Sequence, residues 1–303
     1  MTTPTVYTIP PNGWRRFWRM LKLVCISCYE DNCFGLAKGA AYSSLLSFFP
    51  VLASIAAILV LVNAEAVSSV LSSFLFEVVP PGSEDLVKYQ FADRGQRPIW
   101  LLVVAVLLSL WAASGVMMSL MEGFQAAYRL PSGRSFLRQR LVAIVLVVLA
   151  AIPAVGASTL ILFAGRAEIE LLQWAGVETE GEQIKTGLIV LSRISTYTIA
   201  FMATVLATGL LYYFGPNRPL KFRSVWPGAF LATVLWLLAT SGFAWYVRNI
   251  ANYNLLYGSL GAVIALLVWM YVMAIVALIG CEFNAERERL ASASARNPPS
   301  ARA

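Results

Sequence analysis

The sequence predicts an all-α integral membrane protein with six transmembrane helices, and three observations support this. Hydrophobic residues make up 59% of the 303 residues and charged residues only 13%, about half the charged share of an ordinary soluble domain. Six apolar stretches are each long enough to cross a hydrocarbon core of about 30 Å as a helix. Most Lys and Arg residues fall on one side of these stretches. A soluble fold is excluded, and the 12% aromatic content excludes a disordered chain.

The predicted spans are continuous apolar runs, which favours helices over the alternating strands of an outer-membrane barrel. A helix also satisfies its own backbone polar groups, which lipid cannot do. We place the spans at 41–62, 99–121, 141–164, 187–214, 225–247 and 256–281. The chain then divides into an N-terminal segment (1–40), a membrane domain (41–285) and a tail (286–303). The tail is rich in Ala, Ser, Pro and Arg, and we expect it to be disordered.

The positive-inside rule sets the expected orientation. Of the 23 Lys and Arg residues, 16 lie in the N-terminal segment, the second and fourth loops and the tail. Ten of the 16 acidic residues lie in the opposite loops. All four cysteines map to the basic side, where thiols stay reduced if that side is cytoplasmic. We therefore expect both termini in the cytoplasm.

Residues 14–28 have the pattern of an amphipathic helix, with Trp and Phe on one face and basic residues on the other. Such a helix lies in the plane of the membrane and binds anionic lipid. The alternative is a continuation of the first span. The basic residues of this predicted membrane-binding face are Arg15, Arg16, Arg19 and Lys22.

The outer loops also carry helical patterns. The first loop has an amphipathic stretch over 67–78 and a second short helix over 84–91. The third loop, 165–186, has apolar residues among five glutamates. These short helices are expected to form a small acidic cap outside the membrane.

Arg193 is the only charged residue within the six predicted spans. An Arg in a span costs a few kcal/mol unless it is paired, hydrated or snorkelling. One interpretation places its guanidinium in an internal cavity, where it binds a phosphate or carboxylate. The other lets it snorkel to the outer interface. Tyr197 follows one turn later.

The first span begins with small and polar residues, which suit a substrate path or a hinge. Helix packing explains the same features, and it is the simpler interpretation. Pro50 frees a backbone carbonyl one turn earlier. The candidates in this segment are Tyr42, Ser43, Ser47 and Pro50.

Signatures of an enzyme or a cofactor site are scarce. The chain has no histidine, which removes the commonest general base and zinc ligand. It has no Gly-rich phosphate loop with Lys, so we expect no nucleotide cofactor. The single Cys25-x-x-Cys28 pair with Cys33 is a weak metal signal, and we expect no metal. A nuclease would need the cytoplasmic acids Glu30, Asp31, Glu122 and Glu282 to converge on a divalent ion.

Three motifs resemble the YihY/BrkB family of bacterial inner-membrane proteins. They are 41–50 (AYSSLLSFFP), 226–229 (WPGA) leading to Trp236, and a closing set: Tyr253, 257–261 (YGSLG), 269–271 (WMY) and 280–282 (GCE). They occur in order across most of 34–285. Ser43 departs from the pattern, where the family would have a second tyrosine, and this weakens any role given to that position.

The resemblance implies a six-span inner-membrane protein with both termini cytoplasmic. The family was formerly labelled ribonuclease BN, which is considered a misassignment. It is also named as a virulence factor linked to serum resistance. Some members are connected to transport of envelope lipid or lipopolysaccharide.

Our leading hypothesis is a non-enzymatic transporter or flippase-like protein for an amphipathic, anionic envelope component such as a lipid. Arg193 would meet the headgroup, and the first span with Tyr253, Tyr257, Gly258 and Gly261 would line or gate the path. One alternative is a scaffold or assembly factor of the cell envelope, and a weaker one is a membrane-bound ribonuclease. Expected partners are membrane lipids, with envelope proteins or a second copy of the chain as alternatives, and no nucleic acid.

Overall fold

The computed structural model describes residues 13–61, 99–131, 134–174, 182–249 and 259–296. These residues form seven α-helices, and six of the helices are long and apolar enough to cross a membrane. The predicted fold class is therefore confirmed. In chain order the helices are α1 (Gly13–Glu30), α2 (Cys33–Leu61), α3 (Ile99–Ala127), α4 (Phe136–Trp174), α5 (Glu182–Phe214), α6 (Phe222–Asn249) and α7 (Ser259–Arg296).

The six long helices form a closed ring in which each helix packs against the next in the chain, and α7 closes the ring against α2. Helix α7 also contacts α3 across the ring, and α1 packs on α7 and α2. The buried core lies where α1, the start of α2, and the ends of α3, α5 and α7 meet. Both termini of the described chain therefore lie at one end of the ring, which we call the core end. Its assignment to the cytoplasm stays a prediction.

Helix α1 covers the predicted amphipathic segment but does not continue into the first span. A turn at Asp31 and Asn32 separates α1 from α2. Asn32 has φ 55°, in the left-handed region that Asn tolerates better than most residues. The alternative of a continuous first span is therefore wrong, whereas the binding of α1 to the membrane surface stays a prediction.

Several predicted boundaries are wrong because helices continue through segments that we assigned to loops or to the tail. Helix α4 runs on to Trp174 through half of the third loop, which contains no Gly or Pro between residues 166 and 174. The predicted disorder of 286–303 is wrong as far as Arg296, because the Ala-rich sequence there is a good helix former and its first residues pack into the core end. The predicted helices at 67–78 and 84–91, and residues 297–303, lie outside the described residues.

Helices α6 and α7 approach most closely at two glycines, and this contact fixes the core end. A Cβ on Gly280 would lie 2.7 Å from the Gly228 carbonyl oxygen, and a Cβ on Gly228 would overlap the Gly280 carbonyl oxygen. One turn further on, Asn284 accepts from the Gly228 amide and donates to the Val225 carbonyl, both at 2.8 Å. The motifs at 226–229 and 280–282 therefore meet in space, as a site of helix packing.

We expect Gly228→Ala to destabilise the protein by about 1–3 kcal/mol, because the added methyl must push α6 away from α7. Gly242→Ala on the same helix is the matched control, since a Cβ there meets nothing within 4 Å. The control gains up to about 1 kcal/mol from helix propensity. Unfolding of both variants in one detergent measures the difference, and equal stabilities would contradict the close approach.

Candidate functional site

Arg140, on α4, places a positive charge beside the middle of α3. Its Nη2 donates to the Trp111 carbonyl at 2.9 Å, and its Nη1 lies 3.1 Å from the Met118 sulfur. The guanidinium also lies over the Trp111 ring, 4.1 Å from the centroid, which is a cation–π geometry. Trp111 and Met118 both belong to the candidate span Leu102–Ala127. The charge is therefore at the depth of a membrane-spanning helix.

The charge of Arg140 is not neutralised by the described part of the chain. No described carboxylate lies within 4.0 Å of it, and its buried Nε has no hydrogen-bond partner there. A thioether is a weak acceptor, so only the Trp111 carbonyl satisfies the guanidinium well. That carbonyl is shared with the Ser114 hydroxyl, which donates to it at 2.6 Å. A guanidinium with spare donors inside a span is suited to an anionic ligand.

Gly115 and Ser43 border the same place. A Cβ on Gly115 would lie 3.9 Å from the Ser43 hydroxyl oxygen and 4.0 Å from Arg140 Nη1. Because Gly115 has no side chain, α2, α3 and α4 meet here around one small polar region. We call this region the Arg140 site. Ser43 was a predicted path residue, and the structure brings it to this site.

Arg140 is not among the predicted site residues, because the sequence pattern assigns it to a cytoplasmic loop ahead of a span that starts at 141. In the structure α4 begins at Phe136, and its candidate span runs Phe136–Gly156. The candidate span of α4 therefore includes Arg138 and Arg140, which lie ahead of the predicted span 141–164. The signal was present in Phe136, Leu137 and Leu141, which are apolar and exposed on the bundle surface where lipid would cover them.

The other candidates of the first span lie at scattered positions on α2. Tyr42 is exposed on the bundle surface. The buried Ser47 donates to the Ser44 carbonyl at 3.0 Å. Pro50 lies within the helix, and its carbonyl accepts a hydrogen bond from Ser54 at 2.9 Å. Of this set, only Ser43 is brought to Arg140.

The candidates on α5 and α7 are less well described. Arg193 lies within α5, but its side chain is outside the described part of the structure, so the choice between cavity and snorkel stays open. Tyr197 is exposed on the bundle surface. Gly261 is buried in α7. Tyr253, Tyr257 and Gly258 lie outside the described residues.

The predicted membrane-binding face lies on α1. Arg19 and Lys22 are exposed. Arg15 and Arg16 belong to the helix, and their side chains are outside the described part. On another face, α1 packs Val24 and Cys28 into the core end. Cys33 and Cys281 are buried there too, whereas Cys25 is exposed.

A polar cluster, which we call the core-end cluster, ties α1 to α7. The Ser27 hydroxyl donates to Glu286 at 2.7 Å, and Arg289 donates to Glu286 and to the Ala127 carbonyl. Arg289 also lies 3.7 Å from Asp31. Both acids are largely buried, with 9% and 12% of their side chains exposed, and Arg289 is the cation that they share.

The acids of the nuclease alternative do not form a common metal site in the described chain. Glu30 and Asp31 both pair with Arg129, at 3.1 and 3.3 Å. Glu122 is exposed, and the fully buried Glu282 accepts a weak hydrogen bond from the Cys33 thiol at 3.8 Å. Among the described residues, no group of three or more His, Cys, Asp or Glu side chains is arranged to hold a metal ion.

Comparison with known proteins identifies the family. The family model described as "Virulence factor BrkB" matches residues 26–303, which is most of the chain. The chain belongs to the BrkB family. The resemblance drawn from the three motifs is thereby confirmed.

Relatives of this BrkB-family chain come from diverse bacteria. A "putative ribonuclease-like protein" YfkH of Bacillus subtilis is 29% identical over 268 residues, which cover 83% of this chain and 89% of the relative. A UPF0761 membrane protein of Alteromonas mediterranea is 29% identical over 85% of this chain and 83% of its own length. A UPF0761 membrane protein of Tolumonas auensis is 25% identical over 90% of this chain and 82% of its own length. No solved structure matches. The chain is therefore a multi-pass bacterial membrane protein.

We expect Arg140→Met to leave the free energy of unfolding within about 1 kcal/mol of the wild type, or to raise it. An apolar side chain of similar volume removes a charge that the described protein does not neutralise. Thermal unfolding in detergent tests this, with Arg138→Met, an exposed position on the same helix, as control. A loss of more than about 3 kcal/mol in Arg140→Met alone would make Arg140 a structural residue.

In the core-end cluster, we expect Arg289→Gln to lower the free energy of unfolding by about 1–3 kcal/mol, because it leaves the largely buried Glu286 without a cation and removes one of the two cations of Asp31. Arg129→Gln should cost less than about 1 kcal/mol, because its ion pair with Glu30 is more than half exposed and Asp31 keeps Arg289 as a cation. Unfolding of both variants in denaturant measures which of them loses more free energy of unfolding. The reverse order would contradict the assignment of Arg289 as the central cation.

Proposed function

We propose that this protein is a transporter or flippase-like protein of the bacterial inner membrane. Its substrate is an anionic, amphipathic envelope component, most simply an anionic lipid. Neither nucleotide hydrolysis nor nuclease chemistry is part of the proposal. The observation that carries it is the un-neutralised guanidinium of Arg140 beside the middle of α3.

The energetics of the site support transport more than structure. Charged residues in membrane spans are costly, and they commonly mark pathways for ions or substrates. A structural arginine would gain most from a carboxylate partner, yet the described residues near Arg140 offer a carbonyl, a ring and a thioether. The planar guanidinium suits a phosphate or carboxylate group, which it can bind through two parallel hydrogen bonds.

The surroundings of Arg140 also suit an amphipathic substrate. Ser43 and Gly115 supply a hydroxyl and an open backbone at the polar region. On the same helix as Arg140, Leu141, Val145 and Ile152 are exposed on the bundle surface. A lipid with its headgroup at Arg140 would keep its acyl chains against such surfaces, in the hydrocarbon, so that only the headgroup needs a polar path.

The two alternatives have less support. A nuclease needs several free carboxylates in one pocket, and Glu30 and Asp31 are engaged by Arg129. The word ribonuclease appears in the name of the Bacillus subtilis relative, whereas the Alteromonas mediterranea and Tolumonas auensis relatives are named as membrane proteins. An envelope scaffold would use the outer loops, and the apolar patch expected for it falls largely outside the described residues.

We expect purified protein in liposomes to translocate an anionic phospholipid, and Arg140→Met to slow this at least about tenfold through loss of the headgroup's cation. Arg140→Lys keeps the charge but loses the planar fork, so its rate should be intermediate. Arg138→Met is the control and should keep the wild-type rate. Arg193→Ala, measured in parallel, tests whether the path includes α5.

Headgroup-labelled phosphatidylglycerol and phosphatidylcholine are compared in this assay. Wild-type rates in Arg140→Met, in a variant shown to be folded, would remove Arg140 from the path. If the wild type moves no lipid at all, the transport proposal fails and the scaffold becomes the better hypothesis.

A further inference from the structure

A second basic site lies at the core end, where α5 ends and α6 begins. It is a cavity of about 330 Å³ whose wall includes two arginines, two aromatic residues and the turn between the helices. None of these residues belongs to the Arg140 site. The lining residues are Arg134, Tyr213, Phe214, Pro216, Asn217, Arg218, Pro219 and Leu220.

Arg134 is a fixed cation without a counter-charge in this cavity. Its Nε donates to the Asn217 side-chain oxygen at 3.0 Å, and its Nη1 donates to the Gly215 carbonyl at 3.3 Å. These two neutral acceptors hold the guanidinium in place. Within the described ranges no carboxylate lies within 4.0 Å of it. Burial, followed by the like charge of Arg138, lowers the pKa of Arg134, which shows that its surroundings disfavour the cation.

Arg218 differs from Arg134 because it already has partners. It pairs with Glu288 at 2.5 Å, and its guanidinium lies 5.9 Å from the centroid of the Tyr128 ring. Glu288 offsets one of the two positive charges of the cavity. The charge that remains belongs to Arg134, so the cavity favours a single anionic group.

The chain around the cavity adds to this preference. Arg134 and Leu220 each stand two residues before the first turn of a long helix, α4 and α6 respectively. Helix N-termini carry a partial positive charge and unpaired amide groups. Apolar rings adjoin the polar end, since Tyr213 stacks edge-to-face on Phe214 at 4.8 Å and on Phe222 at 5.5 Å. Phe214 and Phe222 are both exposed on the surface.

We propose that this cavity binds a phosphate group through Arg134, with the adjoining aromatic side chains in contact with the apolar part of an anionic phospholipid. This deepens the proposed function, since it supplies a headgroup site on one face of the membrane. The same chemistry would bind free inorganic phosphate, and the experiment separates the two sources.

Native mass spectrometry of the full-length protein in detergent measures the binding of phosphatidylglycerol, of diacylglycerol with the same chains, and of inorganic phosphate. We expect Arg134→Gln to weaken phosphatidylglycerol binding about tenfold, as for loss of charge-assisted hydrogen bonds. Diacylglycerol should bind equally weakly to all variants. Arg223→Gln removes the same charge from an exposed position outside the lining and should change affinity by less than about twofold.

Arg134→Lys distinguishes a binding defect from a folding defect in Arg134→Gln. It keeps the positive charge and should retain part of the affinity for phosphatidylglycerol. Inorganic phosphate that binds with the same dependence on Arg134, in the absence of lipid binding, would support the phosphate site and assign it to a soluble ligand. Equal affinities of Arg134→Gln and Arg223→Gln for both phosphate ligands would overturn the site. Because binding is measured without translocation, this result is independent of the liposome assay at Arg140.

Discussion

Lipid offers no hydrogen bonds, so every polar or charged group within the bilayer must find its partner inside the protein. This constraint explains the long helices, the close contact of α6 with α7 and the serine hydroxyls that bond to their own helix. Ser44, Ser54 and Thr233 each donate to the carbonyl four residues earlier. Arg140 departs from this constraint, because its Nε is buried and has no partner within the described residues, as is also true of Gln125 Nε2 and Glu282 Oε2.

The two ends of the ring differ in how they are held together. At the core end, Gly228 and Gly280 let two backbones touch, Asn284 bridges them, and Arg289 joins α1, α3 and α7. The turn between α5 and α6, which lines the basic cavity, lies at this same end. Further along the helices, many large apolar side chains are exposed on the bundle surface, where lipid acyl chains would cover them. The fold therefore places the proposed headgroup site at the core end and leaves apolar surface beside the Arg140 site.

The sequence predicts the fold well because hydropathy and the distribution of Lys and Arg reflect the membrane directly. The helix boundaries that the sequence predicts wrongly have a common physical cause. The predicted span at 141 begins just after Arg140, and the predicted tail begins at Glu286. However, a long side chain can carry its charge away from the depth of its own backbone, and a helix continues while its side chains find partners. The convergence of Ser43, Gly115 and Arg140 comes from three helices and leaves no local pattern in the sequence. Gly228 and Gly280 are likewise 52 residues apart, so their contact appears only in the structure.

The two proposed sites lie near the start of the same helix, α4, with Arg134 before its first turn and Arg140 in its second. This order along the chain gives transport a physical basis. Arg134 stands just before α4, and Arg140, six residues further along the chain, reaches the middle of α3. An anion that leaves water loses solvation progressively, and each cation along its way offsets part of that loss. In the proposed transport, Arg134 holds the headgroup at the surface and Arg140 receives it at depth. A single strong site would trap the anion, whereas two sites of moderate strength allow it to bind and to leave.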